Sequence, residues 1–289
     1  MKLLGVIGDP IEHSLSPELF DYLFKALALP YRYDAYRIST EGLQGFVETS
    51  RLSGLVGFNV TIPHKETIVP FLDELAGDAQ QLGAVNTVLN DGKRLIGHNT
   101  DLEGFMTPLR ERELDLSGER AIVLGAGGAA RAAVHGLREL NVAHITLANR
   151  TADRAHALAN ELDAEVRVQT CALSDSALGE ALADARLLVN ATSVGMRPHT
   201  EASPLSHPDG LFPDLIVYDL VYRPLQTRLL AEAASSGATT VDGLEMLIGQ
   251  ALGALRLWMP EAADVTASLK SDLRGYLRGK LLDEARVAD

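Results

Sequence analysis

Apolar and polar residues alternate along the N-terminal third of the chain in short runs that predict an α/β structure. The apolar runs Leu3–Ile7 and Tyr31–Ile38 predict two strands. Between them, Ser16 and Pro17 have the form of an N-cap serine followed by an N1 proline, and apolar residues recur behind them at helical spacing. We therefore expect a strand, a loop over residues 8–16, a helix and a second strand.

A third predicted strand, Gly54–Val60, runs into polar residues and a proline. Pro63 has no amide proton for a strand ladder and is expected to end the pairing. Asn59, Thr61 and Lys65 are thereby placed at or just beyond the strand end, where reactive groups collect in open α/β sheets. A strand, a turn and a helix start with ordinary surface polar residues explain this stretch equally well when it is taken alone.

The remaining pattern up to residue 113 predicts four helices and two strands. The helices are expected at 40–52 with Thr40 as cap, at 65–75, at 78–82 and at 101–113 with Thr100 as cap, and the strands at 84–89 and 94–97. Residues 90–92, Asn-Asp-Gly, are a hairpin-type turn between those strands.

The pattern changes at residues 114–118, which have the character of a domain boundary. Beyond them, strands alternate with helices, which predicts a parallel sheet with helices on both faces. The predicted strands are 121–125, 144–148, 165–169, 186–190, 215–220 and 238–241, and the pattern is helical from Gly243 onward. The predicted fold class is α/β with two lobes.

Composition and charge narrow the class of protein. The chain has 289 residues, 46% of them hydrophobic and 22% charged, which fits a globular protein of two domains. Its apolar runs fall short of the roughly 18 residues of a membrane span, and its N-terminus does not fit a signal peptide. The single Cys171 predicts no internal disulfide, and no metal site is predicted. We expect a cytoplasmic protein, monomeric or homodimeric, whose net charge of -13 disfavours nucleic acid and anionic membranes as partners.

A glycine turn inside the alternating region predicts a dinucleotide site. Gly125, Gly127 and Ala130 occupy the small positions of a G-x-G-x-x-G/A fingerprint, with a strand before them and a helix after them. The helix N-terminus offers free N–H groups to a phosphate. A purely structural glycine turn is the alternative, and the βαβ context argues against it.

The end of the next strand favours NADP over NAD. An NAD-binding domain places an acid roughly 20 residues after the glycines, but this chain has Asn149, Arg150 and Thr151 there, with Arg154 one helical turn on. Guanidinium groups pair with a ribose 2′-phosphate, which a carboxylate would repel. Asp153 is the one dissenting acid, and a first-turn acid is expected of a helix in any case.

A further loop predicts the other end of the cofactor site. The stretch 190–196, Asn-Ala-Thr-Ser-Val-Gly-Met, ends a strand with small polar residues that can approach a nicotinamide. A structural turn would have the same residues.

Taken together, these motifs resemble the shikimate dehydrogenase family. They are S-L-S-P, N-V-T-I-P-H-K, G-A-V-N-T, N-T-D-x-x-G, G-A-G-G-A-A-R, N-R-T, N-A-T-S-V-G-M, Y-D-L-V-Y and D-G-L-x-M-L-x-x-Q-A, running in family order from residue 5 to about 258. The resemblance implies an oxidoreductase that reversibly reduces 3-dehydroshikimate to shikimate with NADPH, in the biosynthesis of chorismate and aromatic amino acids. It also implies a substrate domain at 1–105, completed by 243–289, and a Rossmann-type NADP-binding domain at 106–242.

The resemblance also implies the roles of individual residues. Lys65 and Asp101 match the catalytic pair, and Ser14 and Ser16 match the pair that binds the substrate carboxylate. Other substrate contacts are implied for Asn59, Thr61, Asn86, Tyr222 and Gln250. Cofactor contacts are implied for Gly125, Ala126, Gly127, Gly128, Ala129, Asn149, Arg150, Thr151, Arg154, Thr192, Ser193, Leu220, Gly243 and Met246.

The residue types suit the reaction. A ketone that accepts a hydride becomes an oxyanion that needs a proton, which Lys65 can donate while Asp101 orients it. The structural alternatives are that Asp101 is only a first-turn acid favoured by the helix dipole and that Lys65 is only a solvated helix residue.

Three other functions remain as alternatives. A quinate/shikimate dehydrogenase of broader range shares most motifs, but Ser16 and Arg150 favour shikimate and NADP. A non-catalytic NADP-sensing module would not need Lys65 and Asp101, and a two-lobed folate dehydrogenase would leave the serine pair unexplained.

Overall fold

The structure, a computed structural model, describes residues 1–161, 167–173, 176–206 and 208–288, and within these it describes all side chains except those of 263–268 and 287–288. The chain forms two compact units. Unit 1 comprises Met1–Gly104 and Ile248–Leu277, and unit 2 comprises Phe105–Leu247 and Arg278–Asp289.

Unit 1 is built on a mixed sheet. Its strands are β1 (Lys2–Gly8), β2 (Tyr31–Arg37), β3 (Leu55–Val60), β4 (Glu74–Leu75), β5 (Thr87–Asn90) and β6 (Leu95–His98), in the order β2-β1-β3-β5-β6-β4. Its helices are α1 (Ser16–Ala26), α2 (Leu43–Ser50), α3 (His64–Thr67) and α4 (Asp78–Leu82). Strands β1, β2 and β3 are parallel, and β5 is antiparallel to both β3 and β6. The carboxyl ends of β1 and β3 therefore lie at one edge of the sheet.

Unit 2 is built on a parallel sheet. Its strands are β7 (Arg120–Leu124), β8 (His144–Asn149), β9 (Arg167–Ala172), β10 (Leu187–Asn190), β11 (Ile216–Asp219) and β12 (Thr239–Val241). Helices α6 (Gly128–Glu139), α7 (Ala152–Glu161), α8 (Ser176–Ala183) and α9 (Arg228–Ser235) connect them. The strand order β12-β11-β10-β7-β8-β9 is that of a doubly wound dinucleotide-binding fold, so the predicted α/β class with a Rossmann-type sheet is confirmed.

Three helices carry the chain from one unit to the other. They are α5 (Asp101–Glu111), α10 (Leu244–Trp258) and α11 (Ala263–Ala288). A 3-10 turn at Pro260–Ala262 separates α10 from α11. Within the described part of the chain, no helix has both the length and the apolar character of a membrane span.

The predicted helix over 65–75 is wrong. Helix α3 ends at Thr67, and a 3-10 turn at Val69–Phe71 and the short strand β4 take the place of its second half. Pro70 explains the difference, because it donates no backbone hydrogen bond and its ring obstructs the preceding turn.

Two predicted helix caps are also wrong. Helix α2 begins at Leu43, not behind Thr40, because the Gly42 amide donates to the Ser39 carbonyl and holds a separate turn in front of the helix. Ser16 is the first residue of α1 and Leu15 its N-cap, so the proline occupies the second position.

In unit 2 the predicted strand 165–169 is β9 shifted towards the C-terminus, with residues 165 and 166 outside the described residues.

Trp258 belongs to the core of unit 1. Its side chain is 6% exposed, and Nε1 donates to the Val88 carbonyl at 3.0 Å. The indole lies against Gly57, where an added Cβ would be 2.3 Å from Nε1. The last turn of α10 is thereby fixed onto strands β3 and β5.

Candidate active site

Lys65 and Asp101 form a close ion pair in unit 1. Lys65 lies in the short helix α3, which follows β3, and Asp101 is the first residue of α5. Lys65 Nζ is 2.6 Å from Asp101 Oδ2, and the two side chains are 16% and 5% exposed. The backbone also fixes Lys65, because its carbonyl accepts a 2.7 Å hydrogen bond from the Val85 amide. The structure therefore brings together two residues that the sequence only allowed to meet.

Asn86 connects this pair to its surroundings. Its Nδ2 is 3.0 Å from Asp101 Oδ1, 2.9 Å from Thr100 Oγ1 and 3.4 Å from Gln250 Oε1. Its Oδ1 accepts from the Thr100 amide at 2.8 Å. One oxygen of Asp101 is thus bonded to Lys65 and the other to Asn86, so the carboxylate has a fixed orientation.

Asn59 lies one strand further along the same network. Its Nδ2 donates to the Asn86 carbonyl at 3.1 Å and to Thr87 Oγ1 at 2.9 Å, which engages both amide protons. Its Oδ1 accepts from the hydroxyl of Tyr33 at 2.6 Å. Tyr33 was not predicted from the sequence. Its signal in the sequence was weak. In the structure Tyr33 is the single buried residue of β2, whose other residues are at least partly exposed.

The remaining polar residues of unit 1 lie at the edge where β1 and β3 end. The Thr61 amide donates to the Ile7 carbonyl at 2.9 Å, which ties the residue after β3 to the end of β1. In the loop after β1, the Ser16 amide donates to Ser14 Oγ at 3.2 Å. Among the described residues these three side chains have no hydrogen bond to Lys65 or Asp101.

The glycine turn of unit 2 has the geometry of a phosphate cradle. Gly125 has a φ of +114°, and a Cβ there would lie 3.0 Å from the Ala191 carbonyl oxygen, so glycine is required. Gly127 occupies the N-cap of α6 in an extended conformation, with no atom within 4 Å of an added Cβ. The following Gly128 and Ala129 open the helix, and the first four amides of a helix lack intrahelical acceptors. This turn therefore fits a pyrophosphate.

The end of β8 presents the two predicted arginines. Arg150 and Arg154 are both exposed, and within the described part of the chain neither guanidinium is paired with a carboxylate. Asn149 Nδ2 donates to the Thr151 carbonyl at 2.9 Å, and the Arg154 amide donates to the same oxygen at 3.2 Å. These bonds shape a turn whose charge suits an additional phosphate.

The loops after β10 and β11 contain the other predicted residues of unit 2. Thr192 is half-buried, and its amide and hydroxyl both donate to Asn190 Oδ1, at 3.1 Å and 2.7 Å. Gly243 lies so close to the Leu220 carbonyl oxygen that a Cβ would be 2.3 Å from it. Ser193 is exposed, Tyr222 is half-buried and Met246 is buried. Tyr222 belongs to unit 2 and Gln250 to unit 1.

A buried carboxylate lies beneath these loops, and the sequence had given it no role. Asp219 is the last residue of β11 and is 0% exposed. Burial raises the pKa of Asp219 to about 6, against hydrogen bonds from Thr227, Val221 and Asn190 that act in the opposite direction. Its only sequence signal was its position inside the Y-D-L-V-Y motif.

A lysine–carboxylate pair in one unit and a dinucleotide cradle in the other are the parts of a nicotinamide-dependent oxidoreductase, and the chain is of that class. A family model described as shikimate dehydrogenase substrate binding domain matches residues 6–88, and one described as shikimate / quinate 5-dehydrogenase matches 109–200. The chain belongs to the shikimate dehydrogenase family, as its motifs predicted.

Individual relatives cover nearly the whole chain. The shikimate dehydrogenase (NADP(+)) of Methanopyrus kandleri is 47% identical over 267 residues, which are 91% of this chain and 92% of that protein. The shikimate 5-dehydrogenase of Thermus thermophilus, solved in complex with NADP(H) and shikimate, is 39% identical with a TM-score of 0.79 over 93% of this chain and 100% of that one. A quinate dehydrogenase from Corynebacterium glutamicum, solved with NAD, is 31% identical with a TM-score of 0.82 over 95% and 97%.

Proposed function

We propose that this chain catalyses the reversible NADPH-dependent reduction of 3-dehydroshikimate to shikimate, a step of chorismate and aromatic amino-acid biosynthesis. The observation that carries the proposal is the pair of Lys65 and Asp101, 2.6 Å apart and largely shielded from solvent. The NADP-dependent shikimate dehydrogenases among its relatives support the substrate and the cofactor.

The reaction adds a hydride and a proton across a ring ketone. When it is bound, NADPH supplies the hydride to the carbonyl carbon. Lys65 Nζ donates the proton to the carbonyl oxygen as negative charge develops there, and it takes a proton from the substrate hydroxyl in the reverse direction. Asp101 Oδ2 accepts a hydrogen bond from Nζ and fixes its position, while Asn86 holds the other carboxylate oxygen.

We propose that polar groups near the strand ends of unit 1 supply most of the substrate contacts. We assign Ser14 and Ser16 to the substrate carboxylate, and Thr61, Asn86 and Gln250, with Tyr222, to its hydroxyl groups. Asn59, like Asn86, has both of its amide protons directed to protein oxygens. It therefore offers a substrate hydroxyl only its carbonyl oxygen.

We propose that the loops of unit 2 bind the cofactor. We assign the turn of Gly125, Ala126, Gly127, Gly128 and Ala129 to the pyrophosphate, and Asn149, Arg150, Thr151 and Arg154 to the 2′-phosphate and its ribose. Thr192, Ser193, Leu220, Gly243 and Met246 are assigned to the nicotinamide end. We correspondingly propose a substrate domain at 1–105, completed by 243–289, and an NADP-binding domain at 106–242.

Substitution of Lys65 tests the proposal. The Lys65→Ala variant is expected to lose about 10²–10⁴-fold in kcat with little change in the KM for shikimate, because the proton-transfer group is removed. Oxidation of shikimate by NADP is followed at 340 nm. Lys25→Ala is the matched control, because Lys25 is also paired with an aspartate, at 2.6 Å, but is 76% exposed. A Lys65→Ala variant with near-normal turnover would refute the catalytic assignment.

The same assay separates the alternatives. Quinate and NAD are compared with shikimate and NADP, and the highest kcat/KM is expected for shikimate with NADP. A preference for quinate or NAD would favour the broader dehydrogenase, and an absence of any cofactor reduction would favour a sensing module.

A further inference from the structure

We propose that Asp219 is a positioning residue that holds the two loops of unit 2 to which the nicotinamide-end and substrate contacts are assigned. The inference rests on the proposed function for the identity of those contacts. It concerns a side chain that neither binds the cofactor nor touches the reacting atoms.

Asp219 accepts hydrogen bonds from three different segments. Asn190 Nδ2 donates at 2.9 Å from the end of β10, and the Val221 amide donates at 3.0 Å from the loop after β11. Thr227 Oγ1 donates at 2.6 Å from the start of α9. The carboxylate therefore joins the ends of two neighbouring parallel strands to the helix that follows them.

Two of these bonds lead directly to assigned contact residues. Asn190 uses its Oδ1 to accept from both the amide and the hydroxyl of Thr192, and its Nδ2 also reaches the Val194 carbonyl at 3.2 Å. The orientation of the Asn190 amide is thus set by Asp219 on one side and sets the 190–196 loop on the other. The Val221 amide lies between Leu220 and Tyr222, so its bond to Asp219 fixes the backbone from which both residues project.

A carboxylate is the side chain that this site requires. All three partners are donors, and an aspartate only accepts. An asparagine would turn its NH₂ group towards Thr227 Oγ1, which already accepts from the Leu230 amide at 3.2 Å, and the hydroxyl proton would lose its acceptor. Burial of a charged group at 0% exposure is unfavourable, as the raised pKa of Asp219 reflects. Three donors aimed at one buried carboxylate offset part of that cost.

The Asp219→Ala variant, compared with Thr227→Val, tests the positioning role, because alanine removes the acceptor of all three donors. Thr227→Val removes the third donor and the N-cap of α9 but leaves the bonds from Asn190 and Val221 in place. Asp219→Ala releases both loops and is expected to raise the KM values for NADP and for shikimate by about tenfold or more, the equivalent of one charge-assisted hydrogen bond. Thr227→Val is expected to lower thermal stability while both KM values stay within about twofold, because a cap acts on helix stability.

The Asn190→Ala variant separates the contributions of the two loops to the KM values. It releases the 190–196 loop but leaves the Val221 bond, so the KM for NADP is expected to rise while the KM for shikimate is retained. Unchanged KM values in Asp219→Ala, or equal increases in Asp219→Ala and Thr227→Val, would overturn the proposal. If Asp219→Ala does not fold, an unchanged KM for NADP in Asn190→Ala overturns it instead.

Failure of the proposed function gives a different result. If the wild-type chain does not oxidise shikimate, binding of NADP by calorimetry replaces the kinetic readout. Weaker NADP binding by Asp219→Ala than by Thr227→Val then still supports the positioning role, and equal binding overturns it.

Discussion

The stability of this chain is expected to depend on pH through the buried carboxylate of Asp219. One substitution can isolate the contribution of this group. The pKa of Asp219 is raised to about 6 by burial, whereas an aspartate in an unfolded chain titrates near 4. Between these values the folded state holds a proton that the unfolded state has released. Protonation therefore favours the folded state, and this contribution is lost as the pH rises through about 6.

The magnitude follows from the difference between the two pKa values. A shift of about two pKa units corresponds to about 3 kcal/mol between low and neutral pH, and more than 1 kcal/mol of this falls between about pH 7 and about pH 5. In Asp219→Asn the group no longer titrates. The mismatch of its amide with Thr227 is the same at every pH and cancels when the wild type and the variant are compared across pH. The wild type is therefore expected to gain about 1 kcal/mol relative to the variant as the pH falls over this range.

Urea denaturation of both proteins at several pH values measures this difference. Far-UV circular dichroism follows the whole chain, and the fluorescence of Trp258, the only tryptophan, follows unit 1. The pH-dependent gain is expected in the ellipticity transition, because Asp219 belongs to unit 2. Other titrating groups are common to both proteins and cancel. A stability difference that stays constant from about pH 7 to about pH 5, or that changes in the opposite direction, would refute the reasoning.

Three further predictions concern the cofactor site and the core. Arg150→Asp is expected to lower kcat/KM for NADP far more than for NAD, because a carboxylate repels the 2′-phosphate, and equal losses would contradict the assignment. Trp258→Phe removes the indole N–H that donates to the Val88 carbonyl and is expected to lower the free energy of urea unfolding by about 0.5–1.5 kcal/mol, whereas an unchanged value would mean that the bond contributes nothing. Gly125→Ala places a Cβ at φ +114° and is expected to cost about 1–3 kcal/mol of stability. Gly127→Ala, where an added Cβ meets no protein atom within 4 Å, is expected to weaken NADP binding without that loss, and equal stability losses in both would exclude the cradle geometry.

The sequence by itself determined the features that depend on short stretches of chain. The alternation after residue 118 indicated a parallel doubly wound sheet, and the positions of Gly125 and Gly127 indicated a strand, a turn and a helix. Such signals are local, because a backbone conformation or a hydrophobic period is encoded within about one turn or strand. Even locally they fail when one residue acts against the period, as Pro70 does in the predicted helix 65–75.

Only the tertiary structure decided which side chains meet. Lys65 and Asp101 are separated by 36 positions, and the 2.6 Å distance between them depends on how α3 and α5 are placed by β3, β5 and β6. The bonds of Tyr33 to Asn59 and of Asp219 to Asn190 were likewise not predicted, because the first spans the strands on either side of β1 and the second joins the neighbouring strands β10 and β11, each at a particular register. The order and register of strands are set by packing over the whole sheet. The residue types in the sequence therefore indicated the chemistry, and the fold determined which of them act together.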